Sequence, residues 1–448
     1  VSTAGPPQDA QHRSAQREGT SVNHRPALLW YGDDFTGATD TLGTAARAGL
    51  RALLFLRQPT DAQLAAAGPL DAVGLAGAAR SMAPEAMRAE LAPVVPLLRR
   101  LGARVLHYKL CSTFDSAPQV GSIGVALQTL RAALPGARTA IVGGQPDLGR
   151  YCVFGHLFAR AGSAGEVHRI DRHPTMARHP VTPMGEADLR RHLALQGLDE
   201  LALLPFTTLR GSQEAVHELF DTAPDGVLFD VLDNSDLERI GALLWREAER
   251  VPLLVAGASG VVQALAPSIA PGRAGQAHPA MAPARGPVLV LAGSLSPVTA
   301  EQVQAATSYE KLWLDPQALV AQPQARSEAA QRITALLRAG RHVLACTVAP
   351  GQAGPHAIDA RALAMAGGAL LAEVLTTMPL ARVGVAGGDT SSHAVQALDA
   401  WGLSYMAAVA PGVALCRVHS DHPALDGMEI ALKGGQMGTP DLFERLAA

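Results

Sequence analysis

The chain has 448 residues, 48% of them hydrophobic and 17% charged, so it can bury a sizeable core and wholesale disorder is excluded. A formal net charge of −3 offers no basic field for nucleic acid and no acidic tail. No run of about 18 apolar residues stands out as a membrane span. Residues 1–25 lack the apolar core of a signal peptide and read as a disordered arm.

At roughly 100–200 residues per domain, two to three domains are expected. The four cysteines, Cys111, Cys152, Cys346 and Cys416, have neither CxxC nor zinc-ligand spacing, which fits reduced thiols in a cytoplasmic protein. Of 37 basic residues only Lys109, Lys311 and Lys433 are lysine. In so arginine-rich a chain, a lysine points to a place where a compact ammonium is wanted rather than a planar fork.

Short apolar runs alternate with longer amphipathic ones. Strands are predicted at 27–32, 52–56, 71–76, 104–111, 139–143, 227–231, 252–256, 287–292, 342–346, 382–386 and 428–432. Helices are predicted at 37–48, 84–100, 121–134, 212–220, 235–249, 297–307, 328–339, 358–375 and 391–400. The alternation argues for an α/β chain with mainly parallel sheets covered on both faces. From Ala266 the sequence "APSIAPGRAGQAHPAMAPARGP" has no strand or helix period. It is the best boundary: two α/β domains at 26–265 and 286–448, with 266–285 as linker or hinge.

In the first domain, "YGDDFTGATD" (31–40) follows the apolar run "ALLW" and precedes a helix whose apolar face carries Ala38, Leu42, Ala45 and Ala46. Asp33 and Asp34 therefore stand at a strand's carboxyl end, where open α/β sheets bind ligands. Thr36 is placed to cap the helix. A capping aspartate would account for one carboxylate but not for both. "KLCSTFDS" (109–116) has the same form and offers Lys109, Ser112, Thr113, Ser116 and Asp115. Hydroxyls and carboxylates bond the OH groups of a small polyhydroxy ligand, and an ammonium pairs with its anion. A plain Ser/Thr/Asp loop would read the same way. Arg150, in "GGQPDLGRYCVFGHLFA", can grip a carboxylate bidentately. "RIDRHPTMARHPVTPM" (169–184) sets Arg169, Arg172, His173, Arg178 and His179 on a proline-stiffened segment, either an anion receptor or a solvated loop.

In the second domain, "VLVLAGSLSPVTAEQV" and "VGVAGGDTSSHAVQAL" each run strand, small-residue turn, helix. Ser296 can cap its helix, with Pro297 as the first helical residue. "LKGGQMG" (432–438) adds Lys433, Gly434 and Gly435. Helix N-termini behind such turns bind phosphate. Neither a Walker A loop nor a GxGxxG fingerprint is present, so each turn alone could be tight α/β packing; three together suit a nucleotide.

Taken in order, "GDDFTGATD", "KLCSTFDS", "GRYCVFGHLFA", "HPVTPM", "GSLSPVTAEQ", "GGDTSSHAVQAL", "APGVALC" and "LKGGQMG" resemble the four-carbon acid sugar kinase family over nearly the whole chain. The resemblance implies a two-domain ATP-dependent kinase with its active site in the interdomain cleft. Its substrate would be threonate, erythronate or a 3-oxo-tetronate, phosphorylated at the 4-hydroxyl. It implies sugar-acid contacts at Asp33, Asp34, Ser112, Thr113, Asp115, Arg150, His179 and Thr182. Nucleotide contacts would fall at Ser294, Gly387, Gly388, Asp389, Thr390 and Gly435.

On this reading Asp33 or Asp34 takes the proton of the attacking hydroxyl, and Lys109, Arg150 and His179 hold the acid. Mg2+ and backbone amides, with Lys433, neutralise phosphate. Domain closure across the hinge would exclude water. The partners are then a sugar acid and ATP, without nucleic acid or membrane, and a homodimer is compatible with the chain. Two other readings remain: a Schiff-base aldolase or lyase built on Lys109, which leaves the glycine turns unexplained, and a non-catalytic acid-sugar sensor.

Overall fold

The computed structural model describes residues 1, 25–162, 165–211, 219, 220, 222–273, 280–294, 296–347 and 358–448. Nearly all of the expected arm, most of the helix expected at 212–220 and the middle of the 266–285 linker lie outside the described residues.

In chain order the strands are β1 (Leu28–Gly32), β2 (Ala52–Phe55), β3 (Ala72–Ala76), β4 (Val105–Lys109), β5 (Arg138–Val142), β6 (Arg150–Val153), β7 (His156–Arg160), β8 (Val167–Arg169) and β9 (Leu201–Leu204). There follow β10 (Gly226–Phe229), β11 (Leu253–Gly257), β12 (Leu289–Ala292), β13 (Tyr309–Trp313), β14 (His342–Cys346), β15 (Arg382–Ala386), β16 (Gly402–Ala410), β17 (Val413–His419) and β18 (Glu429–Lys433). Fifteen of them form one sheet, ordered β13-β14-β12-β15-β18-β17-β16-β2-β3-β1-β4-β11-β5-β10-β9, while β6, β7 and β8 form a small antiparallel sheet. The large sheet is parallel except where β16 and β17 enter it. The two halves meet at β2 and β16 through only two register pairs, Gly402 with Phe55 and Leu403 with Leu54.

The run "LLWYG" shows why the strands read as unbroken apolar stretches. Leu28 and Trp30 enter one core, Leu29 and Tyr31 the core on the opposite face. With both faces covered by helices, alternation disappears. The first of these cores continues into the second half through Ala394, Val395, Leu403 and Cys416. On the helix Phe35–Arg47, Ala38, Leu42 and Ala45 are buried as expected and Ala46 is half-buried.

The long helix expected at 84–100 is two helices, Pro84–Leu91 and Val94–Leu101, because Pro93 cannot continue the first. The hairpin β16–β17 was not among the expected strands. The stretch expected to be loop from Ala266 begins as helix, since Gly260–Ile269 accommodates Pro267 near its end. Among the described residues one helix, Ala360–Thr377, is by length and composition apolar enough to cross a membrane, although Arg361 and Glu373 interrupt its apolar run. Here it is a packing helix, with Leu370, Leu371, Val374 and Leu375 in the core.

Just after the helix Gly260–Ile269 the chain is tied back to β3 through Arg273. Asp71, 3% exposed, accepts from Arg51 Nη2 (2.9 Å) and from Arg273 Nη1 (2.7 Å). Its two arginine partners hold the carboxyl well below the usual carboxylate range, against the opposing pull of burial. Such a carboxylate stabilises the fold above its unfolded-state pKa, and that stability is lost as the pH falls through its folded-state value. Asp71→Asn is expected to cost about 2 kcal/mol near neutrality. In thermal melts across the acid range, its gap from the parent should narrow as the parent's own Asp71 protonates.

Candidate functional site

Gly32, Asp33 and Asp34 end β1 beside Lys109 at the end of β4, and Asp33 N–H donates to the Lys109 carbonyl (2.9 Å). Asp34, not Thr36, caps the helix Phe35–Arg47: its Oδ1 accepts from Gly37 N–H (2.9 Å), and Thr36 donates to its Oδ2 (2.8 Å). Asp33 is paired bidentately with Arg80, through Nε (3.1 Å) and Nη2 (2.8 Å), while Arg80 Nη1 reaches Asp34 Oδ2 (2.9 Å). One guanidinium thus bridges both carboxylates.

Burial and the additional bonds to Asp34 separate the two acids. Burial pushes Asp33 up, further than Arg80 pulls it back, and the neighbouring Asp34 charge adds to the rise. Burial also raises Asp34, but Arg80, Lys109 and the bonds from Thr36 and Gly37 together outweigh it and leave Asp34 below its ordinary value. Asp33 is therefore the better proton acceptor and Asp34 the more firmly ionised group.

Arg80 was not singled out from the sequence. It follows β3, the neighbour of β1, so the strand-end rule that picked out Asp33 would have picked it too. Gly121, at φ 60°, leaves room for it: a Cβ there would lie 2.4 Å from the Arg80 carbonyl.

Lys109 is 4% exposed, and its ammonium makes no hydrogen bond or ion pair with the described residues. Its ammonium rests against Gly37, whose Cβ, if present, would lie 2.1 Å from Nζ and 2.4 Å from Asp34 Oδ1. Thr113 donates to Asp115 (2.5 Å) and lies 2.9 Å from Cys111 Sγ. The charge of Arg80 is felt by both Cys111 and Asp115, so this loop belongs to the aspartate cluster. Ser112 is half-buried and its hydroxyl is unbonded among the described residues.

The other expected acid-binding residues are less closely joined. Arg150 lies close enough to Cys111 to sense its charge, but its Nη1 is spent on the Leu148 and Arg160 carbonyls. Burial pulls its pKa down, and it has no carboxylate partner among the described residues. His179 Nδ1 accepts from the Thr182 N–H (3.1 Å) and lies 3.0 Å from its hydroxyl; neither residue bonds to the aspartates. The cationic segment divides: Arg169 and Arg172 pair with Asp171, and His173 Nδ1 accepts from Thr175 and Met176 N–H.

In the second half, β12, β15 and β18 are neighbours, so the turns after them converge. Gly293 N–H donates to the Ala386 carbonyl and Gly387 N–H to that of Lys433. The fit is close: a Cβ on Gly293 would lie 2.3 Å from Thr390 Oγ1, and one on Gly435 2.7 Å from Ser294 Oγ. Gly387, at φ 129°, starts the helix Gly388–Ala397 without a side-chain cap, and a Cβ on Gly388 would meet open space. The first amides of that helix, at Gly388, Asp389 and Thr390, thus have no acceptor within it. The Asp389 side chain lies outside the described residues. Ser296 stands at the N-cap with Pro297 next, as expected, although its hydroxyl makes no cap bond.

Lys433 is turned inward. Its Nζ donates to Thr299 Oγ1 (2.7 Å), Gln302 Oε1 (2.8 Å) and the Gly435 carbonyl (3.2 Å), which uses all three protons. It fixes the Gly434–Gly435 turn to the helix Pro297–Ala305. Between the halves lies a cavity of about 550 Å³, lined on one side by Asp40, Gln145 and Asp147 and on the other by Ala408–Gly412 and Arg445.

A family model described as a sugar-binding N-terminal domain matches residues 28–265, and one described as a nucleotide-binding C-terminal domain matches 289–443. A 3-oxo-isoapionate kinase of Paraburkholderia graminis is 40% identical, covering 95% of this chain and 95% of its own. A 3-oxo-tetronate kinase of Cupriavidus necator is 32% identical over 95% of this chain and 97% of its own. The crystal structure of a Haemophilus influenzae protein of the DUF1537 family is similar at TM-score 0.71 and 25% identity, covering 94% of this chain and 99% of that one.

Gly37→Ala tests the packing of Lys109. Alanine favours the helix by about 1 kcal/mol, which offsets strain at the Asp34 cap, so the melting temperature should stay within a few degrees. The displaced ammonium should weaken binding of a four-carbon sugar acid about ten-fold in titration calorimetry.

Proposed function

The chain belongs to the four-carbon acid sugar kinase family and is an ATP-dependent sugar acid kinase, and we propose that it phosphorylates a 3-oxo four-carbon sugar acid at its primary 4-hydroxyl. The 3-oxo-isoapionate and 3-oxo-tetronate kinases among its relatives support the 3-oxo class. The observation that carries the reading is the bridged pair Asp33–Asp34 at the strand ends of the first half, beside Lys109, whose ammonium is unpaired among the described residues.

Residues 26–265 would hold the sugar acid and 286–448 the nucleotide, joined through 266–285. Asp33, the stronger acceptor, would take the hydroxyl proton as the oxygen attacks the γ-phosphorus. Asp34, kept ionised and fixed as the helix cap, would orient a neighbouring hydroxyl. Arg80 holds both in register. Lys109, with Ser112, Thr113 and Asp115, would receive the acid's carboxylate and hydroxyls, and Arg150 and the His179–Thr182 pair would close its far side.

The amides of Gly388–Thr390 and the turns at Ser294, Ser296, Gly434 and Gly435 would cradle the phosphates. Lys433 would act by shaping the last of these turns. ATP would enter as its Mg2+ complex, the ion being part of the nucleotide substrate. Consumption of ATP and four unpaired thiols fit a cytoplasmic enzyme.

Asp33→Asn should lower kcat about 10²–10⁴-fold while ATP binding persists. In the parent, kcat/KM should fall as the pH drops through the raised Asp33 pKa, because protonation removes the acceptor. An unaltered kcat would remove Asp33 as the base. ADP release should be fastest with 3-oxo-tetronate or 3-oxo-isoapionate in a panel that includes threonate and erythronate. The product's phosphorus resonance should split into a triplet from the adjacent methylene. Folded protein that turns over none of the four would overturn the assignment.

A further inference from the structure

The segment Cys111–Ser116 contains Phe114, whose φ of 55° lies in the left-handed region. For a bulky aromatic residue that backbone is unfavourable, and it persists only where the surroundings impose it. Phe114 is buried, and it separates the two side chains that bond each other at the site, Thr113 and Asp115.

Locally, the Phe114 N–H donates to the Cys111 carbonyl (3.0 Å) and Ser116 bonds the Phe114 carbonyl; the groups that fix Ser116 come from a distant part of the chain. Gln196 Oε1 accepts from the N–H of Ile123 (2.7 Å), which fixes the orientation of its amide. Its Nε2 then faces Ser116 Oγ (2.8 Å) and His192 Nε2 (3.1 Å). Gln196 Nε2, Ser116 Oγ and His192 Nε2 lie within 3.1 Å of one another, so the ring nitrogen belongs to the cluster whichever tautomer it adopts. Burial lowers the pKa of His192 and favours the neutral ring. Ser116 Oγ, 2.9 Å from His192 Nε2, donates to the carbonyl of Phe114 (2.9 Å). The three side chains are all buried, so water does not compete for these bonds.

The cluster is not required to start the helices around it. Ser122 caps Ile123–Ala133 and Asp188 caps Leu189–Ala194 with their own side chains. What the cluster holds in addition is the one residue of the loop whose backbone would otherwise relax. Relaxation at Phe114 would turn Thr113 and Asp115 away from each other and from Arg80.

We propose that His192 and Gln196 are positioning residues that hold Thr113 and Asp115 in the geometry that receives the sugar acid, which rests on the reading of this loop as part of the acid site. Neither touches the substrate; both act through Ser116 and the Phe114 carbonyl.

The test uses the full chain and the best acceptor of the four acids above. His192→Leu removes the ring nitrogen from the cluster, and Gln196→Glu keeps the bond from Ile123 while losing the donor to Ser116. Each should raise KM for the sugar acid about ten-fold, leave KM for ATP within two-fold, and change kcat less than KM. His192→Gln, whose amide can both donate and accept, should restore most of the loss. A general loss of packing would move both KM values and would not be rescued. Thr113→Ala serves as the control. If it leaves the acid KM unchanged, the loop is not the acid site and the proposal falls with that reading. If it raises KM while His192→Leu and Gln196→Glu do not, the loop keeps its shape unaided and the proposal alone falls.

Discussion

Two adjacent carboxylates taken out of water at the end of a buried strand cannot stand uncompensated, and the first half of the molecule is arranged around compensating them. Asp33 is 5% exposed and directly follows the fully buried strand β1. Leaving one such charge unpaired inside a protein costs several kcal/mol, roughly the margin by which a domain is stable. Arg80 meets both carboxylates with one planar group, which a lysine could not do. Because it is bidentate to Asp33 and single to Asp34, while Asp34 also caps a helix, the pair is neutralised without being made equivalent. Burial and the neighbouring Asp34 charge outweigh the pull of Arg80 on Asp33, while the cap bonds keep Asp34 low, so a stronger and a weaker base stand side by side.

The sheet decides how the two half-sites can cooperate. β16 and β17 insert antiparallel strands between two parallel blocks, so the second block runs opposite to the first in local strand direction. On that ground alone the carboxyl ends would point apart. Six steps separate β1 from β15, and at ~20–25° per step the sheet turns by roughly 120–150° along the way. Two register shifts in the β16–β17 ladder add local twist. A twist of that size works against the reversal. The cavity between Asp40 and Gly412 lies along this junction.

Much of this was legible in the sequence, and what was not has physical reasons. Parallel strands buried on both faces announce themselves as short apolar runs, so β1, β4, β12 and β15 were placed within a few residues. The hairpin β16–β17 was passed over although it too has short apolar runs, at 406–410 and 413–416 on either side of Pro411 and Gly412; Ser404, Tyr405 and Arg417 interrupt only its outer parts. The acid pair and the glycine turns were visible because chemistry at a strand end uses residue types that a core avoids. Arg80 was missed because a single arginine in an arginine-rich chain has no local signature; its meaning lies in what β3 places it beside. His192 and Gln196 are further removed still, since their partners Ser116 and Ile123 are near them only in space.

The scarcity of lysine drew attention to Lys109 and Lys433 together, and the structure gives them opposite roles. Both are buried, at 4% and 2% exposure, and neither has a carboxylate salt-bridge partner among the described residues. Lys433 has three oxygen acceptors within 3.2 Å, and burial pulls its pKa down to about 7, as expected of an ammonium surrounded by neutral dipoles. Its bonds are complete, and a phosphate would have to break them to reach it. Lys109 has no such acceptors, but it faces the fields of Asp33 and Asp34 across the space left by Gly37. A buried cation held by fields without bonds keeps its donors available to an incoming anion. Of the two lysines it is therefore the one at Gly37 that can change partners when a ligand arrives, and the one under the glycine turn that cannot.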